Sequence, residues 1–248
     1  MIKIKRLHFK DLNGLRFLAF IPVFLFICAS LLRNDKSEVT LEIFELFQYL
    51  ATNSFDFFFF LSSFLITSLA LREYKYNGMF SLKKFYIRRL LRIIPLLLLS
   101  FIFAFYFHDK IISFLRLTPI PSNTIKYYLI GVPNFLANNL IVERYIYTLS
   151  IWVVFMIIQF YFIWGIVLKF FKSSLISVSL FFIILGTITR IVCVKYNINY
   201  LFNPLSYGIA IGMGAILANL VRNKNGIIDK IKFGKLRKWS RLNANLRL

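Results

Sequence analysis

The residues best equipped for chemistry lie in one short basic stretch. Arg88, Arg89 and Arg92 fall within Phe85–Pro95. On a helix, residues three and four apart share a face, so Arg92 neighbours both Arg88 and Arg89. A guanidinium is a planar, permanently charged fork that matches phosphate oxygens. The cluster suits a lipid headgroup or a phosphorylated cofactor at a helix end; the competing reading is topology anchoring alone. Arg16 and Asp56 are further ionisable groups at or inside apolar runs. Such groups cost about 2.5–3.5 kcal/mol each on insertion scales, which makes each a candidate site. For Arg16 the alternative is snorkelling to the headgroups. For Asp56, beside Asn53 and Ser54, it is a helix-terminal acid in the interface. Arg190 and Lys195 are expected at an interface. The histidines are His8 and His108, the latter beside Asp109. Cys28 and Cys193 sit in apolar runs, where a free thiol behaves as a small hydrophobe. No metal site is expected.

The elements that must position these groups follow from composition. The chain has 248 residues, 59% hydrophobic and 17% charged. Soluble domains average about 45–50% apolar and 25% charged. Disorder and a soluble globular domain are thereby excluded, and two cysteines exclude a disulfide-stapled one. The expected class is all-α: a polytopic transmembrane helix bundle of six or seven spans. A span needs about 20 apolar residues. Leu15–Leu32, Leu50–Leu71, Leu90–Phe107, Tyr145–Leu168, Leu175–Val194 and Leu201–Leu220 meet this. Tyr127–Val142 does so weakly, because it holds Pro133, Asn134, Asn138 and Asn139; it is expected to be re-entrant or packed inside the bundle.

Charge sets the expected orientation. The formal net charge is +21, and the charges sit between apolar runs rather than on one face, so nucleic acid is not an expected partner. Basic segments occupy the first sixteen residues, the connection Arg72–Arg92 and the tail from Arg222, whereas the connection holding Glu38, Glu42 and Glu45 is net acidic. The positive-inside rule then puts both termini in the cytoplasm of an inner (plasma) membrane protein, which requires an even number of spans and favours six. No small-residue cleavage site follows the first apolar run. Residues 1–220 are expected to form the membrane domain and 221–248 a basic cytoplasmic tail against anionic lipid, or a solvated end.

Three blocks resemble the acyltransferase-3 family of multi-span membrane enzymes, over roughly residues 9–220. Leu12-Asn13-Gly14-Leu15-Arg16 is similar to the family's L-D-G-L-R. Phe55 to Thr67, with Asp56 and Ser62, is similar to V-D-F-F-F-V-L-S-G-F-L-I-T and runs on into the Ser81–Pro95 stretch. Gln159-Phe160-Tyr161 resembles the end of W-S-L-x-V-E-E-Q-F-Y. The resemblance implies that Arg88, Arg89 and Arg92 hold cytoplasmic acyl-CoA, the donor. It further implies transfer of the acyl group to a hydroxyl of an envelope glycan or lipid-linked sugar. Arg16, Ser62, Gln159 and Tyr161 are the other motif positions.

The departures are chemical. The family's first-span histidine falls on Ile27, and its glutamate pair on Ile157 and Ile158. Isoleucine cannot take a proton, and general base catalysis contributes about 10²–10⁴-fold. Neither His8 nor His108 has the expected depth. Asp56 is the substitute catalytic candidate: at 1.5 Å per residue it stands about 24 Å above Arg72, and Ile27 about 16 Å above Arg16. Three functions follow as expectations: an acyltransferase with altered acid–base groups, an inactive binding or assembly subunit, or a glycan or lipid translocator. Family members carry more spans than are visible here, so a partner membrane subunit is a further expectation.

Overall fold

In a bilayer a backbone must satisfy its own hydrogen bonds, and long apolar runs do so as helices. The computed structural model describes residues 10–32, 38–106, 125–132, 134 and 146–223, and its regular elements there are all helical. They are α1 (Lys10–Leu32), α2 (Glu38–Asn77), α3 (Leu82–Tyr106), a short α4 (Ile125–Ile130), α5 (Ile146–Phe170), α6 (Leu175–Lys195) and α7 (Gly208–Asn223). Four segments are long and apolar enough to cross a membrane: Glu42–Asn77, Val153–Phe170, Leu175–Lys195 and Pro204–Arg222. They mark the chain as a membrane protein. The basic tail from residue 224, His8, His108 and most of 127–142 lie outside the described residues.

Three boundaries differ from the sequence expectation, each for a local reason. The acidic connection after the first apolar run is largely helix: α2 begins at Glu38 and is 40 residues long, about 60 Å at the helical rise. Its first turns do not hang free, because Phe44 packs on Phe26 of α1 with ring centroids 5.4 Å apart. The basic connection Arg72–Arg92 is also mostly helix, interrupted only at residues 78–81. Gly78 takes φ +72° and donates its N–H to the Tyr74 carbonyl at 3.0 Å, a left-handed C-terminal cap. Thirdly, Leu201–Leu220 is not one α-helix. Its first third forms two 3₁₀ turns, Tyr200–Phe202 and Pro204–Tyr207. The Asn199 and Asn203 side chains cap these turns by accepting the Leu201 and Leu205 N–H groups, both at 3.1 Å. Pro204 stands at the start of its turn, where its missing N–H costs nothing.

The bundle is built around α2. Along its length Phe59 meets Phe160, Thr67 accepts the Trp164 indole N–H at 2.9 Å, and the Tyr74 hydroxyl reaches the Leu168 carbonyl at 3.0 Å. Helices α2 and α5 therefore run in the same direction. So do α2 and α7, since Phe59 stacks on Tyr207 while Ser63 donates to the Ile211 carbonyl at 2.6 Å. α3 runs opposite to α5: Phe85 lies beside Gly165, and Arg89 beside Tyr161. α6 runs opposite to α7, with Gly186 against Gly208 and Ser179 against Gly212.

That last pair packs backbone on backbone. A Cβ at Gly208 would lie 2.3 Å from the Phe182 carbonyl oxygen, and one at Gly212 2.4 Å from that of Ser179. Small residues permit such approach where lipid supplies no hydrophobic drive between helices. The outward faces are apolar. Ile184, Ile188 and Ile191 of α6 and Phe17, Leu18 and Phe20 of α1 are exposed, as hydrocarbon contact requires.

Candidate functional site

The basic cluster is assembled by the α2–α3 hairpin. The Ser81 hydroxyl accepts the Lys84 N–H at 3.4 Å and starts α3. The Glu73 carboxylate accepts the Ser81 N–H at 3.2 Å, which ties the end of α2 to that start. α3 then carries Arg88, Arg89 and Arg92 along one wall of a hollow of about 230 Å³. Ile66, Leu69 and Ala70 of α2 form the apolar side, and Glu73 closes it. The expected helical face is thus realised, with the three guanidinium-bearing residues on one cavity.

Each arginine is held differently. Arg89 lies over the Tyr161 ring at 5.4 Å and the Phe85 ring at 5.9 Å. Ring faces attract a cation from outside its donor plane; Arg89 also donates to the Tyr161 hydroxyl, and its other N–H groups are the ones that could meet an anion. Arg88 reaches Glu73 at 3.5 Å, its side chain 60% exposed against 18% for the acid. Arg92 is exposed on the same cavity. Supporting bonds fix α3 on α5: the Tyr86 hydroxyl donates to the Phe162 carbonyl at 2.9 Å, and Gly165 admits the Phe85 and Tyr86 rings. Tyr86 lies ahead of the apolar run, and burial pushes its phenol up from the ordinary value, which keeps it a donor. Lys169 donates to the Phe80 carbonyl at 3.3 Å, and Lys172 sits 4.3 Å over the Tyr74 ring.

Asp56 belongs to a second polar centre. It lies seventeen residues before Glu73 on α2, about 26 Å away along the axis. Its carboxylate pairs with the Arg190 guanidinium of α6, each side chain about a quarter exposed. Arg190 also donates from Nε to the Ser206 carbonyl at 2.9 Å and lies 5.2 Å over the Tyr200 ring. The structure thus places Arg190 against α2 and the 3₁₀ turns as well as near the end of its own helix.

The remaining motif positions fall between these centres. Gln159 donates to the Gly131 carbonyl at 2.7 Å and to the Asn134 side-chain oxygen at 2.9 Å. Asn134 is fully buried and donates to the Phe202 carbonyl at 3.0 Å. Of the amide-rich fourth segment, Asn134 is thus buried with its amide partnered, whereas Ile130 is exposed; Asn138 and Asn139 lie outside the described residues. Ser62 is buried, with no hydrogen-bond partner for its hydroxyl. Ile157 packs against the core. Arg16 and Ile27 are on α1, but their side chains are outside the described set. No cluster of metal-ligating side chains occurs among the described residues.

Two contacts were missed in the sequence, and both had a signal. Glu73 is the lone acid between Arg72 and Arg92. Arg190 is the lone charge within its apolar run until Lys195, and a solitary cation in lipid calls for a partner such as Asp56. Comparison of the chain with family models, with curated proteins and with solved structures found no match in any of the three.

Proposed function

We propose that the chain is an inner-membrane acyltransferase-like protein that holds the phosphate groups of acyl-CoA at Arg88, Arg89 and Arg92. The acceptor class is a hydroxyl of an envelope glycan or lipid-linked sugar. The observation that carries the reading is the 230 Å³ hollow with three arginine residues on one wall and apolar side chains on the other. Phosphate oxygens match the guanidinium forks, and an acyl chain suits the Ile66–Leu69 side. The acyltransferase-3 resemblance of the same residues supplies the chemistry.

Helix directions support six crossings with both ends cytoplasmic. α3 and α5 run in opposite directions. The chain therefore leaves one and enters the other at the same end of the bundle, and nothing between them has to cross.

A second reading is favoured by one observation. The carboxylate nominated as base, Asp56, is engaged by Arg190, while the family's histidine and glutamate positions are isoleucine. On that reading the protein binds acyl-CoA as a non-catalytic subunit.

Purified protein in detergent separates the two, assayed for acyl-CoA binding and for hydrolysis or transfer, beside an Arg89→Ala/Arg92→Ala variant. Turnover lost in the variant supports the enzyme. Arginine-dependent binding without turnover supports the subunit. Binding equal in both proteins refutes the site itself.

A further inference from the structure

The arginine hollow contains its own carboxylate. Glu73 lies at one side with its two oxygens in different employment. Oε1 accepts the Ser81 N–H at 3.2 Å, while Oε2 faces Arg88 at 3.5 Å. The first bond is to backbone at the hairpin and anchors the acid. The second is longer than a close charge-assisted hydrogen bond, about 2.7–2.9 Å, and goes to an arm 60% exposed. The acid is therefore the fixed partner and Arg88 the one free to swing. Arg89 is steadied by aromatic rings rather than by a carboxylate. Three guanidinium charges against one carboxylate leave a formal +2 on the hollow, a charge that a phosphate dianion or a pyrophosphate neutralises.

We propose that Glu73 is an internal counter-ion that holds Arg88 against α2 and yields it to the phosphate of an incoming ligand. This rests on the reading of the hollow as a phosphate site and assigns that site its regulator. Two consequences follow. A phosphate entering beside Glu73 meets a like charge, so the acid weakens binding. It also selects against monoanions: a simple carboxylate cannot offset both the lost Glu73–Arg88 contact and the repulsion. The class of ligand is a phosphate monoester or a pyrophosphate group, whether it comes from a coenzyme or from a lipid headgroup.

Glu73→Gln isolates the charge, because the amide oxygen can still accept the Ser81 N–H. Glu73→Ala removes both functions. Full-length protein is placed in nanodiscs of phosphatidylcholine, and affinities are measured for coenzyme A and inorganic pyrophosphate. The Glu73→Gln variant is expected to bind both about two- to fivefold more tightly, the scale of one partly exposed charge contact. Acetate is expected to stay weak in every variant. Glu73→Ala is expected to tighten binding less, as the hairpin loosens. In a second arm, phosphatidylcholine nanodiscs containing phosphatidic acid, a phosphate monoester, are examined by native mass spectrometry for retained lipid.

Tightening for coenzyme A and pyrophosphate supports both the inference and the acyl-CoA reading. Enrichment of phosphatidic acid on Glu73→Gln, with no coenzyme A binding, supports Glu73 as counter-ion and overturns acyl-CoA as the source of the phosphate. Unchanged or weaker binding in Glu73→Gln, with Arg89→Ala/Arg92→Ala still abolishing it, overturns the inference and leaves the site standing. No phosphate probe or lipid bound by wild type or variant overturns both.

Discussion

Asp56→Asn is the most informative single change, because it tests whether this carboxylate is a brace or a base. Asn keeps the size and one acceptor oxygen but removes the charge that Arg190 needs. Arg190 would retain the Ser206 carbonyl and the Tyr200 ring, and lose its only anion among the described residues. Breaking a fully buried pair costs about 3–5 kcal/mol. Here each partner is about a quarter exposed, and the retained contacts soften the loss, so about 2 kcal/mol is expected. That is close to a thirtyfold change in the folding equilibrium. Arg190→Gln should cost a similar amount. The double variant should cost less than the sum of the two, with a coupling of about 1–2 kcal/mol. The assay is equilibrium unfolding in mixed micelles by SDS titration, followed by helicity. A brace predicts that the double variant costs about 2–3 kcal/mol, little more than either single variant. Additive losses, with coupling below about 0.5 kcal/mol, would refute the pairing. Turnover abolished by Asp56→Asn with stability unchanged would restore Asp56 as a catalytic residue.

Other outcomes follow from the same structure. Gly208→Val should prevent α6 and α7 from docking, since even a Cβ would lie 2.3 Å from the Phe182 carbonyl oxygen; yield of monodisperse protein in detergent reads this. Gln159→Leu should strand the Asn134 side-chain oxygen and the Gly131 carbonyl at about 1–3 kcal/mol, read as faster proteolysis around residues 125–134. Reporter tags at residue 143 and at the C-terminus should report external and cytoplasmic respectively; a cytoplasmic residue 143 with an external C-terminus would overturn six crossings in favour of seven.

What could be read in the sequence was whatever depends on one residue's own chemistry or on a short period. The arginine face was legible because i, i+3 and i+4 geometry is fixed by the helix alone. Four spans were legible from apolar length, though their ends were not. Glu38, Glu42 and Glu45 look like a loop because charge suggests water, yet a helix continues wherever its backbone bonds propagate, and Phe44 finds Phe26 to pack on. Leu201–Leu220 looked like one helix because periodicity does not register that Asn199, Asn203 and Pro204 offer local alternatives to helical bonding. Pairings between helices were illegible. Asp56 and Arg190 are 134 residues apart in the chain, and no local pattern encodes which two faces will meet.

One polar centre sits at the middle of α2 and the other near its C-terminal end, and what lies between them limits any function. Phe59 is 2% exposed and meets Phe160 edge-on and Tyr207 at 4.5 Å. Below it, Trp164 is fully buried and bonded to Thr67. The cavity among these rings is about 20 Å³, near the minimum of about 10–15 Å³ for one water, and its walls are apolar. On the proposed acyl-CoA reading, a thioester held through phosphate at Arg89 would therefore be separated from Asp56 by a closed aromatic layer. Acyl transfer to an acceptor near Asp56 would need that layer to part, breaking several kcal/mol of ring packing and the Trp164–Thr67 bond. Binding at the arginine hollow needs no such opening. The geometry thus makes phosphate binding the property to establish first, and makes turnover conditional on a second conformation of Phe59, Phe160 and Tyr207.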